Sequence, residues 1–228
     1  MPLCPATPIV GYAENGLQFG GTITTPQFLS MQSTDGLALQ SIKPTGDDTS
    51  DNVFIQTLDA YGRTVASYGW INWAGANSDQ SAWVDDSYAI VDGVTFAPGQ
   101  GLWVMTNSEA EQAVQTAGKV GTLDISVALR FGGTATGNPF PTTVNLQDIL
   151  PVGDDTSDNV FIQTLDAYGR TVASYGWINW AGANSDQSAW VDDSYAIVEG
   201  VTFAPGQGLW VMTNSEAEQF IKFPAPEL

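Results

Sequence analysis

Four tryptophans stand close together in the chain, Trp70, Trp73, Trp83 and Trp103, and the same four return as Trp177, Trp180, Trp190 and Trp210. An indole face carries partial negative charge, so the C–H face of a saccharide ring stacks on it, while nearby carboxylates and amides take the hydroxyls. Asn77, Asp79 and Asp85 lie in the same segment, and Asn184, Asp186 and Asp192 lie in its counterpart. The candidate ligand-binding set is therefore Trp73, Asn77, Asp79, Trp83 and Asp85, matched by Trp180, Asn184, Asp186, Trp190 and Asp192. Trp73 and Trp83 bracket the polar loop 74–82 and are the better placed for exposure. Trp103 and Trp210 sit in Leu102-Trp103-Val104-Met105 and Leu209-Trp210-Val211-Met212. Those strings are apolar on both faces at period two, which predicts core positions. The competing reading for all eight rings is that they fill the core, as tryptophan does in many β-domains.

A second set is acidic. Asp47, Asp48 and Asp51 are interleaved with Thr49, Ser50 and Asn52, and Asp154, Asp155 and Asp158 repeat the pattern. Calcium takes hard oxygen ligands of this kind, although the spacing is not that of an EF-hand loop. The competing reading is a solvated turn whose carboxylates and hydroxyls cap backbone N–H groups. Paired carboxylates can also cleave glycosides, but the neighbours Asp85 and Asp86 would face opposite ways on a strand and could not flank one bond. No catalytic residue is assigned, and calcium is the one cofactor the acidic set suggests.

Composition excludes other chemistry. The chain has no His, so imidazole acid–base catalysis, Ser-His-Asp triads and His-ligated metals are absent. A single Cys, Cys4 in a Pro-rich terminus, makes neither an internal disulfide nor a thiolate cluster. With 25 acidic against 6 basic residues the net charge is -19, which argues against nucleic acid and anionic lipid as partners. No apolar run approaches the roughly 20 residues that span a bilayer.

The elements that must position these groups come in duplicate. Residues 46–112 recur as 153–219 at an offset of 107, with one difference, Asp92 against Glu199. Upstream, Leu17-Gln18-Phe19-Gly20-Gly21-Thr22 echoes Leu129-Arg130-Phe131-Gly132-Gly133-Thr134, and Leu39-Gln40-Ser41-Ile42 echoes Leu146-Gln147-Asp148-Ile149. The chain reads as two units, 1–116 and 117–228. Each near-identical stretch holds 10 acidic residues and 1 basic one, so the pair carries -18 of the net charge.

Strand signals dominate each unit. Val53-Phe54-Ile55-Gln56-Thr57-Leu58 and Arg63-Thr64-Val65-Ala66-Ser67-Tyr68 flank Asp59-Ala60-Tyr61-Gly62, which predicts a hairpin closed by a type I turn with Gly62 left-handed. Asp166-Ala167-Tyr168-Gly169 repeats it. Pro98-Gly99 suits a type II turn, and predicts a second hairpin from 94–96 into 102–105. Further strands are expected at 16–19, 37–42, 70–73 and 123–131. Ser108-Glu109-Ala110-Glu111 matches a capping box, so one or two helical turns are expected after Ser108 and Ser215. The fold class is all-β: two near-identical antiparallel β-sandwich or barrel units in tandem, pseudo-twofold, with little helix.

Two strings are distinctive together: Gly137-Asn138-Pro139-Phe140-Pro141 followed by Val144-Asn145-Leu146-Gln147-Asp148-Ile149, and Phe96-Ala97-Pro98-Gly99-Gln100-Gly101-Leu102-Trp103-Val104. They resemble repeated, secreted β-domain proteins of unassigned function in Verrucomicrobia- and Lentisphaerae-type bacteria. The first unit departs from the pattern, with Thr25-Pro26-Gln27-Phe28 where the second has Gly137-Asn138-Pro139-Phe140. The resemblance implies an extracellular or cell-surface setting and brings no catalytic residues. Scarce Lys and a single Cys agree with that setting. Met1-Pro2 is followed by no basic n-region or long apolar h-region, so an exported protein is expected to have lost its leader. The expected function is a non-enzymatic structural or adhesive surface module, with self-association or a cell-envelope partner. The alternative is a carbohydrate-binding protein with two equivalent sites. Like charge on the two repeats opposes their approach, and salt screens it, the Debye length falling to about 10 Å at 0.1 M. The melting temperature is therefore expected to rise as NaCl is added; a fall would refute the repulsion.

Overall fold

The computed structural model describes residues 10–25, 28–29, 36–74, 80–181 and 187–226. Among the described residues the regular structure is strand, apart from two 3-10 turns at Leu39–Ser41 and Leu146–Asp148, and the ladders are antiparallel. The first half runs β1 (Val10–Gly16), β2 (Thr22–Thr24), β3 (Phe28–Leu29), β4 (Leu37–Ala38), β5 (Lys43–Gly46), β6 (Val53–Leu58), β7 (Thr64–Ala74), β8 (Gln80–Val84), β9 (Thr95–Phe96), β10 (Leu102–Thr106) and β11 (Gln112–Val120). The second runs β12 (Ile125–Ala128), β13 (Thr134–Gly137), β14 (Val144–Asn145), β15 (Leu150–Gly153), β16 (Val160–Leu165), β17 (Thr171–Ala181), β18 (Gln187–Val191), β19 (Thr202–Phe203), β20 (Gly208–Thr213) and β21 (Gln219–Phe223).

Both halves are wired alike. The order β2-β10-β6-β7-β8 makes one five-stranded sheet and β13-β20-β16-β17-β18 the other. Strand β11 pairs with β1, β3 and β5, as β21 pairs with β12 and β15. Alternation builds these sheets: Val53 and Ile55 on β6 and Leu102 and Val104 on β10 are buried, and Val114 from β11 joins the same apolar cluster. In the second half Val160, Ile162, Leu209 and Val211 meet Ile221 and Phe223. Side chains from two sheets thus share each core.

The hairpin at Asp59 is present in both halves. Gly62 donates its N–H to Asp59 O at 3.1 Å and has φ +74, and Asp59 donates to Arg63 O at 2.9 Å. A residue with a Cβ would resist that left-handed backbone. The turn at Pro98-Gly99 also forms, with Gln100 N–H on Ala97 O at 3.0 Å, but it is not a hairpin. Strand β9 pairs with β4, whereas β10 pairs with β2 and β6, so the turn passes the chain between sheets. The expected helix after Ser108 is absent as well. Ser108 Oγ accepts from Ala110 N–H at 3.2 Å, and the chain then enters β11, where ladder bonds to three strands outweigh a local cap. Ser215 behaves likewise, its Oγ accepting from Ala217 N–H ahead of β21. Strand β11 runs through the expected unit boundary at 116/117 to Val120, and its partners all lie in the first half.

The halves touch through reciprocal hydrogen bonds. Thr24 Oγ1 donates to Gly206 O at 3.0 Å, and its counterpart Thr136 Oγ1 donates to Gly99 O at 2.6 Å. Backbone bonds from Thr25 N–H to Gly206 O and from Gly101 N–H to Ala135 O reinforce them.

Trp83 and Trp190, expected at the surface, are 0% exposed. Register explains it: Trp83 opposes Trp70 across β7 and β8, on the core side, and the rings pack edge-to-face at 5.3 Å. Trp83 Nε1 donates to Ile42 O at 2.8 Å, so the indole is buried with its polar atom satisfied. Trp83→Ala or Trp190→Ala should each cost about 3–5 kcal/mol in denaturant unfolding. A loss below 1 kcal/mol, about the value for exposed sites, would contradict the burial.

Candidate functional site

The exposed aromatic rings lie one residue pair away from the buried ones. Ile71 opposes Ala82, but Ala74 opposes Gln80, so Asn72 and Trp73 together face Ser81. Such a bulge carries one residue too many for the ladder and re-aims a side chain. Trp73 emerges there at 48% exposure. Beneath it Ile71, Ala82 and Val84 form a small apolar cluster with Ile90 on the far face of the sheet.

Tyr88 lies flat against Trp73, centroids 5.6 Å apart and planes at 22°, and is itself 51% exposed. A tight turn delivers it. Asp85 Oδ1 accepts from Ser87 N–H at 2.9 Å, Ser87 Oγ at 2.6 Å and Ala89 N–H at 3.0 Å. Tyr88 N–H closes the turn on Asp85 O at 2.9 Å, and Tyr88 sits at φ +61. A bulky residue in that region is strained by about 1–3 kcal/mol, and such strain concentrates at functional sites. The second half reproduces the platform: Trp180 and Tyr195 stack at 5.4 Å, with Asp192 holding the turn and Tyr195 at φ +61.

Asp85 and Asp192 were expected to meet ligand hydroxyls; their carboxylates instead organise the turn. The Ser87 hydroxyl, then the Ala89 and Ser87 N–H groups, hold the Asp85 carboxyl below the ordinary aspartate value, and Ser194 and Ala196 do the same for Asp192. Asn77, Asp79, Asn184 and Asp186 lie outside the described residues, as does Cys4.

The acidic loops do not gather their charges. Among the described residues no three carboxylates converge on a point that could hold a metal, so Asp47, Asp48, Asp51, Asp154, Asp155 and Asp158 do not form the expected calcium sites. The reason lies in the backbone. Asp48 and Asp51 adopt left-handed φ of 57 and 61, and the buried Gln112 donates Nε2 to Asp47 O at 2.9 Å and Asp48 O at 2.8 Å. The loop wraps round that amide with Thr49 buried, and its carboxylates remain outside. Gln219 plays the same part for Asp154 and Asp155.

Trp103 and Trp210 correct the opposite expectation: they are half-buried and line a cavity between the halves. Sequence reasoning missed Tyr88, Tyr195 and this cavity. The string Asp85-Asp86-Ser87-Tyr88 carries the signal of a carboxylate-capped turn beside Trp73, whereas the cavity has no local signal. Comparison with family models, curated proteins and solved structures finds no match to the chain.

The folded carboxyl of Asp85 titrates below its ordinary value of 3.8. Its contribution is therefore complete above that value and lost as pH falls through the lower folded one. The near-UV circular dichroism difference between the wild type and a Trp73→Phe, Trp180→Phe protein should persist below pH 3.8 and then fade. Asp85→Ala with Asp192→Ala should remove it at every pH. A transition centred above 3.8 would overturn this account of the turn.

Proposed function

We propose that the chain is a non-enzymatic adhesive module of the cell exterior that grips saccharide through two equivalent aromatic platforms. Each half is read as a β-sandwich, and the two as related by a pseudo-twofold axis; shared cores and reciprocal hydrogen bonds support both statements. The observation that carries the function is the stacked, exposed pair Trp73–Tyr88 and its recurrence as Trp180–Tyr195. Two large rings held in water by a strained turn forgo burial that would stabilise the fold, and sites of that kind serve recognition. A flat aromatic face matches the C–H face of a pyranose. The charge of -19 favours neutral glycans over acidic ones. The extracellular setting rests on the scarcity of Cys and Lys.

The test is a glycan array read with the wild type, followed by Trp73→Ala with Trp180→Ala. Because both rings are exposed, the double variant should keep its melting temperature to within about 2 °C. It should lose array binding, and each single variant should bind half as many ligands. Binding that survives in the double variant, or a wild type that binds nothing on the array, refutes the reading and leaves self-association as the function to pursue.

A further inference from the structure

The cavity between the halves has a volume of about 420 Å³, within the range that holds small ligands. Its lining comes in pairs offset by 107: Gln56 with Gln163, Tyr61 with Tyr168 and Trp103 with Trp210 lead the set. It forms only where both halves meet and is open to solvent on one side, so neither half alone contains it.

The walls are shaped for a ring. Gly21 lets Trp103 lie against the backbone, since a Cβ at that position would overlap the indole, and Gly133 does the same for Trp210. At the mouth Tyr61 is held by its own hairpin, where Arg63 lies 5.2 Å over the ring and is itself fixed to Asp59 at 2.7 Å. Arg170 and Asp166 hold Tyr168 in the same way.

The polar groups in the cavity are neutral: the indole N–H groups donate, and the amides and hydroxyls both donate and accept. Thr64 Oγ1 donates to Gln56 Oε1 at 3.0 Å, which leaves Nε2 a contact with Ser67 Oγ at 3.5 Å, the limit of a hydrogen bond. Thr171 Oγ1 donates to Gln163 Oε1 at 3.2 Å, and among the described residues Gln163 Nε2 has no acceptor. Neither Trp103 Nε1 nor Trp210 Nε1 has an acceptor among the described residues, whereas Trp70, Trp83, Trp177 and Trp190 all have one. No carboxylate lines the cavity to pair with a cation, the ring faces of Tyr61 and Tyr168 are already taken by Arg63 and Arg170, and the net charge disfavours an anion.

We infer that this cavity is a binding site for one neutral saccharide of one or two rings per chain, stacked on Trp103 and Trp210 and hydrogen-bonded through its oxygens to the amides of Gln56 and Gln163. It goes beyond the surface platforms and stands without them. Stoichiometry separates the two: one ligand for the cavity, two for the platforms.

The whole chain, labelled with ¹⁵N, is titrated with glucose, maltose, cellobiose and N,N′-diacetylchitobiose while the indole Nε1 resonances are followed. Trp→Phe variants assign the signals. At least one of these sugars should shift Trp103 and Trp210 together with a stoichiometry of one. Gln56→Leu with Gln163→Leu should weaken that binding about tenfold, as expected for two lost hydrogen bonds. Its melting temperature reports whether the protein still folds. If the Leu pair unfolds the protein, Gln56→Glu with Gln163→Glu, which keeps shape and removes the donors, replaces it with the same expected loss. Shifts confined to Trp73 and Trp180 would overturn the cavity and sustain the platforms; shifts confined to Trp103 and Trp210 would do the reverse. No shift in either pair up to about 10 mM sugar, weaker than which no specific site is expected, would overturn the cavity. So would undiminished binding in a folded Gln variant.

Discussion

Burying an indole without an acceptor for its N–H costs about 1–3 kcal/mol, and the placement of Trp83 and Trp190 is the constraint on which the other features depend. Trp83 Nε1 finds Ile42 O, the carbonyl just after the 3-10 turn at Leu39–Ser41. Gln40 in that turn takes the rest of the residue: its Oε1 accepts from Trp83 N–H at 3.1 Å, and its Nε2 donates to Trp83 O at 2.9 Å and Val91 O at 2.7 Å. Strand β8 is the last of its sheet, and a bare edge would offer those same groups to a stranger. That side-chain amide, together with Val91 N–H on Trp83 O at 3.1 Å and the bridge between Val84 and Ile90, closes the edge, and the amide sets β8 against the turn. Once β8 is fixed, its register with β7 is fixed, and the surplus residue in β7 falls at Trp73. The exposed ring is a consequence of how the buried one is held.

The parts of this arrangement that depend on nearby residues were legible in the sequence. The Asp59 hairpin follows from a carboxylate and a glycine at the right spacing; of the period-two set Leu123, Ile125, Val127 and Leu129, the last three turn inward, whereas Leu123 lies ahead of β12 and is exposed. The parts that depend on distant partners were not. Parity along a strand separates its faces without saying what covers each one. Trp103 shares its face with Met105 and so looked like core, but that face meets the other half, which no local pattern records. Trp83 looked like the rim of a loop, yet Ala82 and Val84 on its opposite face are covered by Ile90, so the strand is buried on both sides. At Ser108 a good local cap lost to ladder bonds with three strands. Pro98-Gly99 gave the correct turn and the wrong partners for the same reason.

The near-identical stretches also make physical sense as a unit. Residues 46–112 and 153–219 supply β6 to β10 and β16 to β20, which carry the platforms, the hairpins and most of the cavity wall. The flanks that differ add β2 and β13 to those sheets and build most of the others. Strand β1 has seven residues where β12 has four, and Lys222 pairs with Asp124 at 2.6 Å in the second half, where the first half has Gln115 on Glu14. A contact in which each side meets the same surface on the other requires both surfaces to match. The paired hydrogen bonds of Thr24 and Thr136 meet that requirement at the glycine carbonyls of two identical turns.

Charge determines where such a contact can lie. Each repeat carries ten acidic residues, and two such surfaces pressed together would strand carboxylates in a medium of low polarity. The halves instead touch through glycine and alanine carbonyls, threonine hydroxyls and aromatic rings, all neutral. The one carboxylate in each hairpin that comes near, Asp59 or Asp166, is neutralised by the one arginine of its repeat. The acidic loops are kept outside, wrapped on Gln112 and Gln219, where water and salt screen them. A neutral seam between acidic bodies also keeps the cavity at its centre free of ionised groups. An uncharged lining of amides, hydroxyls and indoles offers no carboxylate to pair with a cation and hydrogen-bonds the oxygens of a neutral ring, so the charge that forced the seam to be neutral also sets what the cavity can accept.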